Sequence, residues 1–279
     1  MLGGVDVALF GATSMLGWSI LRAAPEPILA FCNTGTRNPP PDVSAGIDLD
    51  NEAAVAALFE RIQPRLVINC AGVCDVATCE ASPDFAHAVN VEGTRNVVTY
   101  APAHTRIVHL SSDHVFSGDG GPYDESSARD PISVYGRTRV AAEQLIAERR
   151  NALAIRPGLW IGPSYNGRVG HLDWLRHRTR RRLPMTIVTD EHRGAVWAED
   201  AARRVWELAR SSITGLRHLV ATRTVSRPEL AAHLDRTFAI GAALGFETRR
   251  ERKTPHLGRV ELRTRHADAF ARPLRSVLD

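Results

Sequence analysis

Short apolar segments alternate along this chain with segments that have the spacing of amphipathic helices. The apolar runs lie at 5–10, 28–32, 66–71, 107–111 and 153–156. Runs that are apolar on both faces are typical of strands in a parallel sheet covered by helices on each side. The pattern therefore predicts an α/β fold with a parallel sheet at its centre.

The intervening and later segments are predicted as helices and short strands. Predicted helices lie at 50–63, 83–100, 133–150, 198–209 and from Ser226, where Glu229 completes a capping box. The face predicted to be buried in the first of these helices is Val55, Leu58, Phe59 and Ile62. Further strands are expected to end at Asp48-Leu49 and to lie at 185–189 and 216–221.

Composition narrows the class of protein. The 279 residues are 44% hydrophobic and 24% charged, which is the ordinary globular range. The net charge of +4 favours anionic ligands only mildly and is too dispersed to indicate nucleic acid. No stretch approaches a membrane span, and the apolar start contains Asp6 and runs directly into a glycine-rich turn, so we expect a cytoplasmic protein.

The four cysteines do not indicate a metal site. Cys70, Cys74 and Cys79 lie close together, but their spacing matches no common zinc pattern and no later Cys or His pair completes one. We therefore expect no metal, and partly buried thiols around the end of a strand.

The segment from Gly11 to Gly17 lies where the first predicted strand turns into a helix. Gly11 allows a tight turn, and Gly17 allows close packing of the helix on the sheet. The amides at the start of such a helix favour a pyrophosphate, which predicts dinucleotide binding. Ser14 stands where a third glycine is frequent. Two alternatives follow: its hydroxyl binds a phosphate oxygen, or its bulk displaces the cofactor.

The end of the second strand bears on the choice of cofactor. A site selective for NAD would place a carboxylate here, and the segment 32–37 contains none. Arg37, with Asn33 or Thr36, is suited to the 2′-phosphate of NADP, although an arginine on a solvent-exposed loop is the alternative. Asp48 and Leu49 are predicted to flank the adenine, or to belong to a helix start for which Asp50 is a suitable N-cap.

A hydroxyl, a phenol and a cation form the candidate catalytic group. Tyr135 and Arg139 are four residues apart on a predicted helix and share a face, and Ser112 follows a predicted strand. A phenol is a poor acid–base catalyst at neutral pH unless a nearby cation favours its anion. Arg139 supplies that charge where such a site usually has Lys, but a guanidinium does not relay a proton.

Together these motifs resemble the extended short-chain dehydrogenase/reductase family, and within it the dTDP-4-dehydrorhamnose reductase branch. The matching pieces are 11–17, 67–72, 89–90, 111–116, 122–125, 131, 134–143, 156–157 and 190–200. The resemblance implies a Rossmann-type, doubly wound parallel sheet with a small C-terminal substrate-binding lobe. It also implies hydride transfer from NADPH to the 4-keto carbon of a nucleotide-linked deoxysugar, with Ser112, Tyr135 and Arg139 as the catalytic set.

The same resemblance implies the remaining site residues. For the cofactor these are Gly11, Thr13, Ser14, Met15, Leu16, Gly17, Asn33, Arg37, Asp48, Leu49, Cys70, Ala71, Gly72, Asn90 and Pro157. For the substrate they are Val73, Asp113, His114, Val115, Trp160, Arg176 and Arg193. Arg176 belongs to a basic segment, 171–182, in which one or two arginines are expected to bind the sugar nucleotide, with Trp174 as a stacking surface.

We predict that residues 1–160 form the dinucleotide-binding domain and residues 161–279 the substrate lobe, with elements near 185–222 returning to the first domain. The function expected is an NADP(H)-dependent reductase of a nucleotide-activated keto-sugar, without a membrane or nucleic-acid partner. The sequence leaves the oligomeric state open between a monomer and the homodimer that the family commonly forms. Ser14, His114 and Arg139 depart from the branch. They support an alternative, a weakly active or inactive NADP-binding regulatory or partner subunit; a sugar-nucleotide epimerase or dehydratase is a third candidate.

Overall fold

The computed structural model describes residues 6–279, so Val5, at the start of the first predicted strand, lies outside the described residues. In chain order the strands are β1 (Val7–Phe10), β2 (Leu29–Cys32), β3 (Ala45–Gly46), β4 (Leu66–Asn69), β5 (Arg106–Leu110), β6 (Ala152–Arg156), β7 (Leu159–Ile161), β8 (Met185–Val188), β9 (His192–Trp197), β10 (Gly215–His218), β11 (Thr224–Ser226), β12 (Leu244–Glu247) and β13 (Arg259–Val260). The α-helices are α1 (Met15–Arg22), α2 (Glu52–Ile62), α3 (Val76–Ala81), α4 (Pro83–His87), α5 (Gly93–Tyr100), α6 (Val134–Ala147), α7 (His171–Arg180), α8 (Ala198–Arg210) and α9 (Arg227–Phe238).

A seven-stranded sheet of order β10-β6-β5-β4-β1-β2-β3 forms the centre of the fold. Every neighbouring pair in it is parallel. Helices α1 and α8 pack together, and their apolar residues share a hydrophobic cluster with β1, β4, β5 and β6. Helices α2, α5 and α6 contribute to a second cluster that includes residues pointing the other way from the same sheet. The predicted α/β, Rossmann-type doubly wound fold is therefore confirmed.

Helix α2 shows how the sequence sets the bounds of an element. Its buried residues are the predicted ones, Val55, Leu58, Phe59 and Ile62. The N-cap, however, is Asn51, whose side chain accepts from the amide of Ala54 at 3.1 Å. The suggestion of Asp50 as N-cap was wrong, because the helix begins one residue later than that assignment requires.

The predicted helix at 83–100 is divided into three parts. Helix α4 is followed by a π-helical segment, Ala88–Glu92, and then by α5. The wider turn of a π-helix has i→i+5 hydrogen bonds and is frequent at functional sites. Here it contains Asn90, which is fully buried and bonds outside the helix.

The remaining strands form the C-terminal lobe. Strand β9 pairs with β7, β11 and β13, and β8 pairs with β12. Helices α7 and α9 pack on these strands, around a cluster that includes Leu159, Ile161, Leu172, Leu175 and Leu234. The capping box predicted at Ser226 and Glu229 is present at the start of α9.

Several predicted elements differ in extent from those observed. The short third strand ends at Gly46, two residues before the predicted Asp48, because the Asp48 carboxylate instead accepts a hydrogen bond from the Thr34 amide at 3.0 Å. The basic segment is a helix, α7, over His171–Arg180. Within residues 6–279, no helix combines the length and apolar character that crossing a membrane requires.

Candidate active site

A groove of about 900 Å³ opens along the carboxyl ends of the central strands. It lies at the β1–β4 boundary, where the strand order reverses and where open parallel sheets bind their ligands. The predicted cofactor residues in its wall are Gly11, Thr13, Ser14, Met15, Leu16, Asn33, Asp48, Leu49, Cys70, Ala71 and Gly72. Val73, Tyr135 and Arg139 line the same groove. The structure thus brings the predicted catalytic helix and the glycine turn to one place.

Two glycines make the first turn as tight as a bound pyrophosphate requires. Gly11 has a φ of +77°, and a Cβ on it would lie 2.6 Å from the amide nitrogen of Ala71. A Cβ on Gly17 would lie 2.8 Å from the carbonyl carbon of Gly11. Both positions therefore exclude a side chain, and α1 begins close against the strand ends with its first amides free of intrahelical partners.

Ser14 is the N-cap of α1. Its hydroxyl oxygen accepts from the Gly17 amide at 3.0 Å, which is the usual N-cap bond. The hydroxyl proton is still available to donate to a phosphate oxygen. Ser14 therefore shapes the helix start and faces the groove at the same time.

The other end of the groove is polar and acidic. Asp48 is bonded by both the amide and the hydroxyl of Thr34. Asn33 accepts from the hydroxyl of Thr36 at 2.7 Å. Arg37 lies beyond this wall, in an adjoining cleft of about 620 Å³ that also contains Trp18, Tyr165 and Arg168. The structure therefore places Asn33 in the groove and Arg37 beside it.

Tyr135 and Arg139 meet inside the groove. The Arg139 guanidinium carbon lies 5.1 Å from the centre of the Tyr135 ring, within the range of a cation–π contact. Both residues are buried, at 6% and 4% exposure. The side-chain contact expected from their spacing on α6 is present.

The buried Arg139 guanidinium is poorly neutralised. One of its nitrogens, Nη1, donates to the carbonyl of Leu110 at 3.4 Å, and its Nε has no partner. Within residues 6–279, no carboxylate lies at ion-pair distance from it, whereas the buried Arg156 holds Glu143 at 2.7 Å. Arg139 therefore presents an uncompensated positive charge to the groove, which favours an anionic or hydroxyl-bearing ligand.

Ser112 and its neighbour Ser111 lie at the end of β5. The Ser112 oxygen accepts from the amide of His114 at 3.2 Å and caps the 3₁₀ turn at Asp113–Val115. Ser111, which sequence reasoning did not single out, is the serine in the groove wall, and its hydroxyl donates to Glu143 at 2.5 Å. Glu143 lies four residues after Arg139 on the same face of α6, and that spacing is the signal that would have found it.

His114 lies against the candidate catalytic phenol. Its ring meets the edge of Tyr135 at a centroid distance of 5.2 Å. Burial lowers the pKa of His114 to about 4, and the nearby Arg193 cation contributes in the same direction. The imidazole is therefore neutral at pH 7, and its Nδ1 has no partner.

Asn90 positions the loop that forms the floor of the groove. Its side chain accepts from the amide of Val73 at 2.8 Å, donates to the carbonyl of Val73 at 3.0 Å and donates to Thr138 at 2.9 Å. It therefore ties the loop after β4 to helix α6. The structure does not place Asn90 in the groove wall, so its effect on a bound cofactor is exerted through Val73 and its neighbours.

Asp113 and Arg193, both predicted for the substrate, form a buried ion pair. The Arg193 Nε lies 2.8 Å from Asp113 Oδ2, and a second bond joins the two groups. Arg193 also lies 3.5 Å from Glu191, which in turn bonds His256 at 2.9 Å. This charged network lies between the 3₁₀ turn after β5 and the lobe strand β9.

Four other predicted residues have their side chains elsewhere. Val115 is in a core cluster with Phe116 and Tyr123. Trp160 is 3% exposed and belongs to the hydrophobic cluster between the sheet and helices α1 and α8. Its neighbours on β7, Leu159 and Ile161, point the opposite way, into the cluster of the lobe. Pro157 is buried and contributes a carbonyl to the amide of Asp113 at 3.1 Å. Arg176 lies over the ring of Phe238 at 4.7 Å, on the surface of the lobe.

The thiols near the groove are inert in character. Burial raises the pKa of Cys70 and of Cys79, the latter to about 11. Cys79 donates to the carbonyl of Val73 at 3.6 Å. No group of metal-ligating side chains occurs within residues 6–279.

The groove fits a dinucleotide. The glycine turn leaves a cradle that a Cβ would fill, α1 supplies free amides beside it, and the unneutralised Arg139 lies with Tyr135 in another part of the wall. The fold and the groove thus define a Rossmann-type dinucleotide-binding protein with a Tyr–cation pair at the chemical end.

The sequence profile of the family described as RmlD substrate binding domain matches residues 5–279. Because the match covers nearly the whole chain, the chain belongs to this family. This match confirms the predicted resemblance to the RmlD-like branch of the extended short-chain dehydrogenases/reductases. It also confirms the prediction of an oxidoreductase of this type.

Curated relatives and solved structures agree with this membership. The dTDP-4-keto-6-deoxy-D-glucose reductase of Streptomyces niveus is 30% identical over 218 residues, 75% of this chain and 70% of that protein. The dTDP-4-dehydrorhamnose reductase of Escherichia coli (strain K12) is 28% identical over 238 residues, 82% of this chain and 76% of that protein. The crystal structure of the dTDP-4-dehydrorhamnose reductase of Bacillus anthracis in complex with NADP has the same fold, with a TM-score of 0.78, 21% identity and coverage of 97% of this chain and 94% of that chain.

One relative of a different kind is also similar. The methionine adenosyltransferase 2 subunit beta of Xenopus laevis is 29% identical over 146 residues, which are 52% of this chain and 43% of that protein. The chain is thus similar to a protein named as a subunit of an enzyme as well as to proteins named as reductases.

Proposed function

We propose that this protein is an NADP(H)-dependent reductase of the 4-keto group in a nucleotide-activated deoxysugar, with Tyr135 as the proton donor. The observation that carries the proposal is the contact of the Tyr135 ring with the Arg139 guanidinium inside the dinucleotide groove. The relatives from Streptomyces niveus and Escherichia coli are named as reductases of such sugars, and the Bacillus anthracis reductase was crystallised with NADP.

When bound, the reduced cofactor supplies a hydride to the carbonyl carbon. Tyr135 protonates the carbonyl oxygen, and Arg139 holds positive charge beside the phenol as that proton leaves. Ser112 donates to the same oxygen through its hydroxyl proton. Because a guanidinium stays protonated, Arg139 acts by its charge and by hydrogen bonding, and the proton that Tyr135 loses returns by another route.

The substrate is placed on the lobe side of this pair. We propose that the sugar lies between Val73 and the 3₁₀ turn with His114. The buried ion pair of Asp113 with Arg193 supports this placement, because it fixes the 3₁₀ turn against the lobe. A neutral His114 contacts the sugar without adding a charge next to the phenol.

The test is turnover with a defined substrate. NADPH and a dTDP-4-keto-6-deoxysugar are mixed with the purified protein, and the absorbance at 340 nm is followed. We expect the cofactor to be oxidised, and Tyr135→Phe to lower kcat by at least about 100-fold while NADPH still binds, in line with the loss of a positioned general acid. Turnover that is undiminished in Tyr135→Phe would contradict the role of the phenol.

A second candidate function is an NADP-binding partner subunit with little or no turnover. Two observations favour it: the Arg at 139 and the similarity to a methionine adenosyltransferase subunit. The same assay separates the two functions. Tight NADPH binding without oxidation across a panel of nucleotide-linked keto-sugars, in both the original chain and Arg139→Lys, would support the subunit.

A further inference from the structure

The backbone at Gly72 leaves a space that the Arg139 side chain fills. A Cβ on Gly72 would overlap the Nη2 atom of Arg139 and would lie 3.1 Å from its guanidinium carbon. The same Cβ would lie 2.7 Å from the Oδ1 atom of Asn90. Any side chain at this position therefore collides with two buried polar groups at once.

Of these two groups, Asn90 cannot move aside, and Arg139 moves aside only by giving up its contacts with Leu110 and Tyr135. The Asn90 side chain is fixed at both ends by the amide and the carbonyl of Val73 and by the hydroxyl of Thr138. The Arg139 guanidinium lies between the Leu110 carbonyl and the Tyr135 ring. The close packing of a protein interior makes such an overlap costly rather than easily absorbed.

The way Arg139 is held differs from that of the other buried arginines. Arg156 pairs with Glu143 and Arg193 with Asp113, and the Arg106 guanidinium donates to the carbonyls of Leu208 and Ala209. Arg139 has a single, long hydrogen bond to a carbonyl and an unpartnered Nε. Its position is therefore set by the shape of its surroundings more than by an internal partner.

We infer that Gly72 is a positioning residue for Arg139. Because Gly72 has no side chain, the Arg139 guanidinium fits beside the Tyr135 ring, and the two residues form a matched pair. This inference rests on the proposed function for its catalytic meaning. A lysine ammonium is smaller and lacks the Nη2 atom that meets Gly72, so arginine at position 139 needs this glycine and lysine does not. With the guanidinium in this space, its charge lies 5.1 Å from the centre of the Tyr135 ring.

The inference predicts a coupling between the two positions, which a double-mutant cycle measures. Four proteins are compared: the original chain, Gly72→Ala, Arg139→Lys and the double variant. The φ of Gly72 is +152°, so Gly72→Ala strains the backbone in either background, and the cycle cancels that contribution. What remains is the interaction between the added methyl group and the guanidinium.

The first readout is stability without cofactor, by urea unfolding. We expect Gly72→Ala to raise the unfolding equilibrium constant about 10-fold more in the original chain than in the Arg139→Lys background, the scale of an overpacked core. Gly215→Ala is the matched control, because Gly215 also has a positive φ, of +84°, and a Cβ there meets nothing within 4 Å. Its cost is expected to be equal in both backgrounds.

The second readout is the dissociation constant of NADPH, followed by its fluorescence, together with kcat and KM. We expect Gly72→Ala to weaken NADPH binding about 10-fold, which is the effect expected when a charged hydrogen-bonding group is displaced. We expect the double variant to recover most of that loss. Equal stability costs in both backgrounds would overturn the matched pair. A stability coupling with no coupling in NADPH binding, kcat or KM would overturn the positioning role.

The outcomes also separate this inference from the proposed function. If no keto-sugar is reduced, the stability and NADPH-binding cycles still report on the pair. If the sugar is reduced but both cycles show simple additivity, the reductase stands and the inference about Gly72 fails.

Discussion

At the scale of single residues, the side chain that distinguishes this site is Arg139. In the proposed reaction its guanidinium provides positive charge beside the phenol, and it does so from a buried position with a single hydrogen bond. A buried cation without a carboxylate is unfavourable by several kcal/mol unless a ligand or a polar shell compensates it. The site therefore gains from binding an electron-rich group, and a reduced dinucleotide with its ribose hydroxyls and phosphates is such a ligand.

Arg37 provides a test of cofactor choice. It lies in the cleft next to the end of the groove that Asn33 and Asp48 form. If it reaches the 2′-phosphate, Arg37→Ala weakens NADPH binding by about 10-fold to 100-fold, the value of a charge-assisted hydrogen bond, and leaves NADH binding unchanged.

The measurement is the dissociation constant of each cofactor, with Arg61→Ala as a control for loss of one exposed positive charge on α2. An equal effect of Arg37→Ala on both cofactors would show that Arg37 does not read the 2′-phosphate.

His109 links stability to pH. It is fully buried on β5, and burial lowers its pKa from 6.5 to about 3, with a smaller contribution from the Arg139 cation. Below pH 6.5 the unfolded chain binds a proton that the folded chain does not, so stability is complete above pH 6.5 and falls as the pH drops towards 3. From pH 7 to pH 5 this residue alone lowers the free energy of unfolding by about 2 kcal/mol.

We expect His109→Gln to remove that part of the loss between pH 7 and pH 5, as measured by urea unfolding at both values. His104→Gln, at an exposed histidine, is the matched control and leaves the pH dependence unchanged. An identical pH dependence in His109→Gln and the original chain would show that His109 titrates normally.

At the scale of elements, helix α6 carries the site, and a glycine determines how closely it packs. A Cβ on Gly136 would lie 2.9 Å from the Cβ of Pro131 and 3.2 Å from the carbonyl carbon of His114. This close approach brings the first turn of α6, with Tyr135, against the 3₁₀ turn that follows Ser112.

Gly136→Ala gives a prediction whose sign is informative. In an unconstrained helix, replacing Gly with Ala stabilises by about 1 kcal/mol. Here the methyl group forces α6 away from His114, so we expect a loss of about 1–3 kcal/mol of unfolding free energy and a fall in turnover. Urea unfolding gives the first and the 340 nm assay the second; stabilisation by this substitution would contradict the close packing.

Several elements could be predicted from the sequence because their signal is local. Strands β1, β2, β4, β5 and β6 each contain a run of consecutive apolar residues, since both their faces are covered. The face that joins Tyr135 and Arg139 follows from helical spacing alone. The contact between Arg139 and Gly72 could not be predicted, because it joins positions 67 residues apart and depends on the π-helical segment that fixes Asn90.

At the scale of the whole molecule, the groove arises from the reversal of strand order between β1 and β4. That reversal sends one connection to each face of the sheet and leaves a gap above the strand ends. The C-terminal lobe then adds Val169 to the wall of the groove.

The lobe was harder to predict than the sheet. Its strands are short, and β9, for example, pairs with segments at 159–161, 224–226 and 259–260. Which side of β7 faces the lobe depends on that pairing, and this explains why the Trp160 indole lies in the core rather than over a substrate. The division at residue 160 stays a prediction.

The ion pair between Asp113 and Arg193 joins the central sheet to the lobe, and it predicts a large effect on stability. Arg193→Ala leaves the Asp113 carboxylate buried without its partner, so we expect a loss of about 3–5 kcal/mol in the free energy of unfolding. Arg203→Ala is the comparison, because its partner Glu199 is 72% exposed and such a pair contributes less than about 1 kcal/mol. Similar losses from both substitutions, measured by urea unfolding, would show that the buried pair does not connect the two parts.

The central claim is that the groove holds a reduced nicotinamide next to Tyr135, from which hydride passes to the sugar carbonyl. Its most direct test uses NADPH carrying deuterium at the transferable position of its nicotinamide, a dTDP-4-keto-6-deoxysugar and mass spectrometry of the product. The account predicts one deuterium at C4 of the reduced sugar with the original chain, and deuterium transfer at least about 100-fold slower with Tyr135→Phe. Binding of NADPH without transfer of deuterium to any keto-sugar would contradict it.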